Sequence, residues 1–465
     1  MGLIIINAGR YMNKEQLLRK CISRNDRELI IYGADSFAQF HRRNASVSSK
    51  CDRALPVACR DDLVVLRGKL DREYYDWLKS YGLGPDHVVQ YEAEARDMTL
   101  SELIAKDPEP IQKIIQKTGR KPVYVPWYSG HMEAEAAQSL GADLFGAPES
   151  STLKYNDKAS FKAICHQLEI AVVEGDLFKM QPEKSGNCLE MEELVKSYLS
   201  RCKTVIIRGT LGEAGMSLYK TEGNDIPELY GQIANSGEKE LIIEPFLNVS
   251  FSPSDHWIIG RDGEISHIGM RNQICEQDMI HVGTLKGETF PADILDYITK
   301  TSTKIVSNMA ESGYQGVVGI DYIVSEEGIF PIENNARFNA SSYIDMLVNN
   351  IEKLTSPIPY WELIKIKTAP CSFLELTERI SPILYDGIKL NSVFPFNCDA
   401  LPLSGDFAIV LLAQDYDQIL SLKESLKEMG VKRDCVKVTS VHLIKGRTTM
   451  PPEHRSTTQP LSVNL

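Results

Sequence analysis

The sequence predicts a mixed α/β and α+β protein: a Rossmann-like domain first, an antiparallel domain in the middle and a small α/β domain near the end. Three observations predict it. The chain has 465 residues, too many for one compact core, and its 43% apolar and 25% charged residues are ordinary for globular proteins. Up to about residue 150, short apolar runs alternate with helical segments. Beyond it, strands follow one another across glycine-containing turns.

The first region, residues 1–150, is predicted to form a parallel sheet because segments of helical period separate its apolar runs. The predicted strands are LIIIN (3–7), ELIIYGAD (28–35), DLVVL (62–66), HVVQY (87–91) and PVYVP (122–126). KEQLLRKCISR and EPIQKIIQKTG are typical of the helices between them. NAGRYMNK, not GxGxxG, follows the first strand, so a dinucleotide site is not expected there. NAGR (7–10) is either a plain turn or a substrate contact at a strand end.

The second region, residues 151–365, has the pattern of an antiparallel sheet with helices. NDKASFKAICHQLEI (156–170) has an Asx residue ahead of a helical pattern. The predicted strands lie in TVIIRG, MSLYKTEG, ELIIEPFL, DHWIIGRDGEISHIGM and GVVGIDYIVSEEGIFPIENN. Residues 366–447 predict a small α/β domain from FAIVLLA, YDQILSLKESLKEMG and VKVTSVHLI. The polar tail, residues 448–465, is expected to be disordered.

Charge and cysteine usage exclude several classes of protein. The net charge of −12 and pI of about 5.4 argue against a nucleic-acid partner or an anionic membrane surface. The ten cysteines form no CxxC pair and no Cys/His cluster, which indicates reduced thiols in a cytoplasmic protein. No segment approaches the length of a membrane span, and the first apolar run is too short for a signal peptide.

The hairpin GVVGIDYIVSEEGIFPIENN (316–335) brings acidic residues together. We expect a three-residue loop, 326–328, with glycine at the position that needs positive φ. This loop predicts the cross-strand pairs Ser325 with Ile329, Ile323 with Pro331 and Asp321 with Glu333. Two carboxylates facing each other repel, unless a divalent cation binds between them.

The same strand face extends beyond the two carboxylates. Asn335 shares it with Glu333, so Asp321, Glu333 and Asn335 offer three hard oxygen ligands that suit Mg²⁺ or Mn²⁺. Arg337 follows two residues after Asn335 and is therefore expected on the same face, and a guanidinium suits phosphate oxygens. A solvated sheet face that ends in an Asx-rich turn is the alternative.

Three more segments are candidates for phosphate or nucleotide contacts. In KTVIIRGTLGEAGMSLYK (203–220), Arg208 precedes a loop whose glycines free backbone N–H groups for phosphates, although such loops are often structural. The glycines of this loop are Gly209, Gly212 and Gly215. ELIIEPFL (240–247) has a proline that stops the ladder and frees main-chain groups for adenine, or it is a plain strand end. Lys158 begins a helix and either projects toward the same cleft or is solvated.

The order of these features resembles the ATP-grasp superfamily of ligases. The features are a DK helix start, a strand with a basic residue and glycine-rich loop, a strand ending in EPF, and a hairpin with D, ExN and R. The resemblance covers about residues 150–345, and the region before it is similar to a pre-ATP-grasp domain. The sequence departs from the family in carrying arginine, Arg208, in place of the usual lysine, and Asn334 where many members have an apolar residue.

The resemblance implies a role for each candidate residue. Lys158 and Arg208 would contact the nucleotide phosphates, and Gly209 to Gly215 would form a mobile lid. The adenine and ribose hinge would be Glu244 to Leu247, including Phe246. Asp321, Glu333 and Asn335 would hold Mg²⁺, with Arg337 on the transferred phosphoryl group.

The implied activity uses ATP and Mg²⁺ to convert an amino-acid-type carboxylate into an acyl phosphate, which an amine then attacks. FSPSDHWIIGRDGEISHIGMRNQ (251–273) and the small last domain resemble ligases of bacterial secondary metabolism, including antibiotic biosynthesis. That group contains peptide ligases and the butirosin-type enzyme that loads glutamate onto an acyl carrier protein, so transfer to a carrier thiol is an alternative. A non-catalytic nucleotide-binding scaffold is the alternative of another class, and a homodimer is left open.

Four residues are candidates for orienting the substrate carboxylate. Arg271, Asn272 and Gln273 leave the RDG hairpin on one strand, and Asn339 lies beyond the metal stretch. Arg271 would clamp an anionic substrate through two hydrogen bonds. A surface arginine is the alternative reading of the same residue.

Overall fold

The computed structural model describes residues 19–35, 50–92, 98–211, 217–276, 280–287 and 290–431. Its first part is a five-stranded parallel sheet in the order β3-β2-β1-β4-β5. The strands are β1 (Glu28–Gly33), β2 (Leu63–Arg67), β3 (His87–Tyr91), β4 (Lys121–Pro126) and β5 (Asp143–Leu144). All six residues of β1 are buried, as expected for a strand covered on both faces. The four predicted strands in the described residues are confirmed, whereas 3–7 and 7–10 lie outside them.

Helices cover the parallel sheet. They are α1 (Arg72–Ser80), α2 (Leu100–Lys106), α3 (Glu109–Thr118) and α4 (His131–Leu140), with a short 3₁₀ helix at Cys51–Ala54. The predicted helix EPIQKIIQKTG is α3, and it ends at Gly119, which adopts φ 65° because glycine has no Cβ to clash in the left-handed region. The predicted helix KEQLLRKCISR (14–24) is described from residue 19 onward, and residues 19–22 are helical.

A four-stranded antiparallel sheet follows, in the order β6-β9-β7-β8. Its strands are β6 (Asp176–Lys179), β7 (Val205–Gly209), β8 (Leu218–Thr221) and β9 (Glu240–Pro245). Four helices belong to this part of the chain: α5 (Glu149–Asn156), α6 (Lys158–Gln167), α7 (Asn187–Leu199) and α8 (Ile226–Ser236). Asp157 caps α6, accepting a hydrogen bond of 2.7 Å from the Ser160 N–H, so the predicted Asx start of this helix is confirmed.

The largest sheet has nine strands, and its main path runs β10-β14-β11-β12-β13-β16-β18-β17, with β15 paired to β14. The strands are β10 (Val249–Phe251), β11 (Pro253–Ile259), β12 (Ile265–Glu276), β13 (Ile280–Lys286), β14 (Gly316–Ser325), β15 (Gly328–Asn335), β16 (Tyr360–Lys367), β17 (Ser392–Phe396) and β18 (Asp406–Ala413). The helices are α9 (Ala292–Glu311), α10 (Ala340–Leu354), α11 (Phe373–Arg379), α12 (Leu401–Ser404) and α13 (Tyr416–Glu428). FAIVLLA and YDQILSLKESLKEMG are confirmed as β18 and α13, while VKVTSVHLI and the tail lie outside the described residues.

The last strands continue the central sheet. β16 pairs with β13 on one side and β18 on the other, so the sheet runs from the acidic hairpin into the carboxyl-terminal part. The expected boundary at residue 365 falls within β16. Within the described part of the chain, no helix has both the length and the apolar character needed to cross a bilayer.

A buried ion cluster joins the parallel sheet to the central sheet. Arg261, in the turn between β11 and β12, donates to both carboxylate oxygens of Glu28 at 3.0 and 3.1 Å and also pairs with Asp143. Glu28 is 3% exposed. Burial raises the pKa of Glu28, but the Arg24 N–H and the Arg261 guanidinium outweigh it, and the net pKa is lowered.

We expect Arg261→Met to lower the free energy of unfolding by about 3 kcal/mol, because it leaves Glu28 buried without its guanidinium partner. Since the pKa of Glu28 is depressed in the folded state, its contribution is present above the ordinary carboxyl pKa and is lost as the pH falls through the lowered value. The deficit of the variant should therefore shrink in acid. Urea unfolding at neutral and acid pH measures both effects. Lys300→Met, in an exposed pair with Asp296, is the control and should leave stability unchanged.

Candidate active site

A cavity of about 1190 Å³ lies where the three sheets meet. The parallel-sheet region contributes Arg53 and Trp127, the four-stranded sheet contributes Arg208, and the carboxyl-terminal strands contribute Lys365 and Phe407. The acidic hairpin forms another wall through Asp321, Glu333 and Asn335. A cleft of this size, with polar groups converging in it, fits a nucleotide together with a second small molecule.

The acidic hairpin has the predicted Asp321–Glu333 pair, but its turn and the pairs next to the turn differ from the prediction. Ser325 pairs with Gly328 and Ile323 with Phe330, so the expected pairs with Ile329 and Pro331 are wrong and the loop has two residues. A β-bulge at Ile332 then shifts the register by one residue. Pro331 has no N–H to give to the ladder, which favours an irregularity there.

The bulge has two consequences for the hairpin. Asp321 lies opposite Glu333, as predicted, and Gly319 lies opposite Asn335. The carbonyl of Ile332 leaves the ladder and accepts a hydrogen bond of 3.0 Å from Arg208 Nη1. The irregularity therefore aligns the acidic face and also supplies an acceptor for a cation of the neighbouring sheet.

The acidic face has the donor set of a magnesium site that shares its ion with phosphates. Asn335 Nδ2 donates to Asp321 Oδ2 at 2.9 Å. Burial and the Glu333 carboxylate raise the pKa of Asp321 well above its ordinary value, and contacts with Ser254 and Gln273 oppose this. Among the described residues, no three or more His, Cys, Asp or Glu side chains gather around one point. Two carboxylates and one amide fit Mg²⁺, which takes its other ligands from substrate phosphates and water.

Cations surround the acidic face. Lys158 Nζ lies 3.0 Å from Glu333 Oε1, and the Lys158 side chain is 7% exposed. Arg208 Nη2 lies 2.8 Å from Glu244 Oε2, and Lys162 Nζ lies 2.7 Å from the other oxygen of the same carboxylate. The Arg208 Nε is buried without a hydrogen-bond partner in the described structure. Two of the predicted phosphate-binding residues, Lys158 and Arg208, thus lie together on one side of the cavity.

The predicted nucleotide hinge lies along the same cavity. β9 ends at Pro245, and residues 244–247 all line the cavity. The Phe246 N–H donates to the Thr204 carbonyl at 2.9 Å, and Lys220 Nζ lies 3.6 Å from the centre of the Phe246 ring. The buried Glu244 side chain is held by cations, so a contact from this residue to a ligand would come from its main chain.

The structure describes one of the three glycines predicted for the lid. Gly209 ends β7, and its N–H donates to the Ser217 carbonyl at 2.8 Å. A Cβ at this position would lie 2.5 Å from a Glu238 carboxylate oxygen and 2.8 Å from the Ser217 Cβ, so a larger residue would force these side chains to move. Gly212 and Gly215 lie outside the described residues.

Arg337 and Asn339 lie at the far end of the acidic hairpin. Both line the cavity, and Arg337 Nη1 donates to Asn339 Oδ1 at 3.0 Å and to the Phe338 carbonyl at 3.3 Å. Asn339 is the N-cap residue of α10. The structure thus orients the Arg337 guanidinium toward the start of this helix.

Arg271 occupies a different position from the one expected of a substrate clamp. It is 1% exposed, does not line the cavity, and pairs with Asp345 of α10. Lys286 Nζ also contacts Asp345, at 2.8 Å. Burial lowers the pKa of Arg271 to about 9, although the nearby Asp255 carboxylate acts in the opposite direction and raises it. The two residues that follow it, Asn272 and Gln273, do line the cavity.

Sequence reasoning missed several residues of the cavity region. Lys162 lies one helical turn after Lys158, and this i, i+4 spacing was a signal that could have identified it. Ser254 lines the cavity beside Asp321 from the neighbouring strand, since Ser254 pairs with Asp321 in the sheet. Arg53 and Trp127 also line it, and no motif marks either residue in the sequence.

The comparisons with known proteins agree with this geometry. Residues 201–335 match a family model described as L-aspartate–L-methionine ligase, ATP grasp. A search among curated proteins found no match. The structure is similar to N5-carboxyaminoimidazole ribonucleotide synthetase in complex with ADP, with a TM-score of 0.54 and 13% identity, over 87% of this chain and 96% of that one.

Two further solved structures give the same result. Biotin carboxylase from Campylobacter jejuni has a TM-score of 0.55 and 13% identity, over 86% of this chain and 91% of that one. N5-carboxyaminoimidazole synthetase from Staphylococcus aureus complexed with ADP has a TM-score of 0.52 and 12% identity, over 86% of this chain and 98% of that one. The chain therefore has the ATP-grasp fold. Together with this fold, the family-model match over residues 201–335 supports an ATP-dependent ligase of the ATP-grasp superfamily.

Proposed function

We propose that the protein uses ATP and Mg²⁺ to join the carboxylate of one amino acid to the amine of another. The observation that carries this proposal is the wall formed by Asp321, Glu333 and Asn335 next to Lys158 and Arg208. Facing carboxylates beside fixed cations are suited to a metal-bound triphosphate. The match to a family model named for an aspartate–methionine ligase supports amino acids as the class of substrate.

Each residue of this wall has a proposed task. Asp321, Glu333 and Asn335 would hold Mg²⁺, which when bound neutralises negative charge on the phosphates. Lys158 and Arg208 place positive charge where the phosphates would lie, and residues 244–247 offer main-chain groups to the adenine. Arg337 would face the γ-phosphoryl group as the substrate carboxylate attacks it.

The proposed reaction has two stages. Attack of the carboxylate oxygen on the γ-phosphorus gives an acyl phosphate and ADP, and the attacking amine then expels phosphate and loses a proton as the amide forms. The protein acts by positioning the reactants and by fixing charge.

The test is ADP release from pairs of amino acids in the presence of Mg²⁺, beginning with L-aspartate and L-methionine. We expect release that requires both partners and a product whose mass equals their sum minus one water. Each amino acid is also assayed alone with a phosphopantetheinylated carrier protein. ADP release that depends on the carrier would indicate that the product is a thioester and not an amide. Nucleotide binding without release in all combinations would contradict a ligase activity.

A further inference from the structure

Arg53 is a buried arginine on the cavity wall that the proposed chemistry leaves without a task. It belongs to the 3₁₀ helix Cys51–Ala54, is 2% exposed and lines the cavity. Its Nε donates to the Lys50 carbonyl at 2.8 Å. Within the described part of the chain, no hydrogen bond or ion pair of its two terminal nitrogens is seen, although the carboxylates of Asp52 and Asp399 are close enough to favour its charged form. Burial lowers the pKa of Arg53 from its ordinary value, so the charge is costly to keep there.

An aromatic ring holds this guanidinium in place. The Arg53 Cζ lies 4.0 Å from the centre of the Trp127 ring and 6.0 Å from that of Tyr343. Arg337, the residue proposed to face the phosphoryl group, lies 6.0 Å from the same Trp127 ring. Stacking fixes the plane of a guanidinium and leaves its edge available for hydrogen bonds. Arg53 is therefore positioned to bind an anion close to the proposed reaction centre.

The cavity wall carries two further buried nitrogens without a hydrogen-bond partner among the described residues. The Trp127 Nε1 and the His256 Nδ1 are buried and have no hydrogen-bond partner in the described structure, and both residues line the cavity. Helix α10 begins on the same wall, where Ala340 and Ser341 line the cavity. A helix start and a buried cation both favour negative charge. Together these groups make this part of the cavity wall favourable for a negatively charged ligand.

We propose that Arg53 binds the carboxylate of an amino-acid substrate that is not phosphorylated in the reaction. This inference rests on the proposed function, because it assumes that amino acids occupy the cavity. An arginine whose two terminal nitrogens are available matches the two oxygens of a carboxylate, and Trp127 keeps it in that orientation. Arg53 would thereby select amino acids over simple amines or acids that lack the second charged group.

The test compares Arg53→Met with the wild type, using the amino-acid pair found by ADP release. We expect the KM of one amino acid to rise about 30-fold, with kcat and the KM of ATP changed by less than about threefold. The wild type should use the carboxamide analogue of that amino acid with about 30-fold lower kcat/KM, and the variant should use both forms equally well. Arg60→Met, an exposed arginine of the same region, is the matched control and should behave as the wild type.

If the methionine variant does not fold, Arg53→Lys is assayed in the same way. It keeps the charge but loses the two-pronged geometry, and we expect an intermediate KM and an intermediate preference for the carboxylate. Unchanged preference for the carboxylate over the carboxamide in these variants would overturn the proposal. So would a raised KM for ATP instead of an amino acid, since Arg53 would then serve the nucleotide. Absence of ADP release from the wild type would contradict the ligase function itself, which is a different result.

Discussion

Glu333→Gln should reduce kcat for ADP release by about 1,000-fold at saturating ATP, because it removes one of the two carboxylates that face each other on the proposed magnesium site. The substitution keeps the shape and the hydrogen-bonding capacity of the side chain and removes its charge. We expect the magnesium concentration that gives half-maximal activity to rise, while binding of ATP in the absence of metal changes little. Steady-state ADP release across a magnesium titration measures kcat and the magnesium concentration for half-maximal activity. Calorimetry in the presence of a chelator measures the binding of ATP without metal.

Glu327→Gln is the matched control for this experiment. Glu327 lies in the two-residue turn of the same hairpin and is exposed, so its loss should leave activity and magnesium dependence unchanged. If Glu333→Gln turned over at close to the wild-type rate at high magnesium concentration, the assignment of the metal face would be wrong.

Asp345→Asn should lower the free energy of unfolding by about 4 kcal/mol, because it leaves the Arg271 guanidinium in the core without its ion-pair partner. Arg271→Met should cost less, since Lys286 continues to neutralise Asp345. Adding Arg271→Met to Asp345→Asn should recover part of the lost stability, because the buried charge is then removed. Chemical unfolding of the wild type, the two single variants and the double variant gives this coupling directly.

The same variants decide between two roles for Arg271. We expect Arg271→Met to keep kcat/KM within about threefold of the wild type, because Arg271 does not line the cavity. A selective rise of about 30-fold in the KM of an amino acid, with stability preserved, would instead support Arg271 as the substrate clamp. Asp296→Asn, in an exposed pair with Lys300, is the control for loss of an aspartate and should change neither property.

The sequence predicted those features that depend on local patterns. Alternating apolar runs indicated β1 to β4, and the Asx residue before Lys158 indicated the start of α6. The opposition of Asp321 and Glu333 was predicted correctly although the loop length was wrong, because the extra residue expected in the turn is present instead as the bulge at Ile332. A period-two pattern conveys which residues share a face but does not reveal where an irregularity lies.

Features that depend on distant parts of the chain were not predictable in this way. Arg271 and Arg53 are both arginines beside polar residues in the sequence, yet the first pairs with Asp345 in the core and the second lines the cavity. Asp345 of helix α10, which pairs with Arg271, lies 74 residues after it, and Trp127, which lies against Arg53, is also 74 residues further along the chain. Burial and pairing of this kind arise only when the sheets and helices pack, and neither composition nor spacing encodes them locally.

The bulge at Ile332 has a consequence for comparing this chain with its relatives. Turn length and bulge compensate each other, so a relative with a longer turn and a regular strand would present the same opposed carboxylates. An alignment of the two sequences would then need an insertion before the strand and a deletion within it, and an ungapped alignment would shift residues 328–331 by one position. Equivalence of residues in this hairpin is therefore better assigned from cross-strand partners than from distance along the chain.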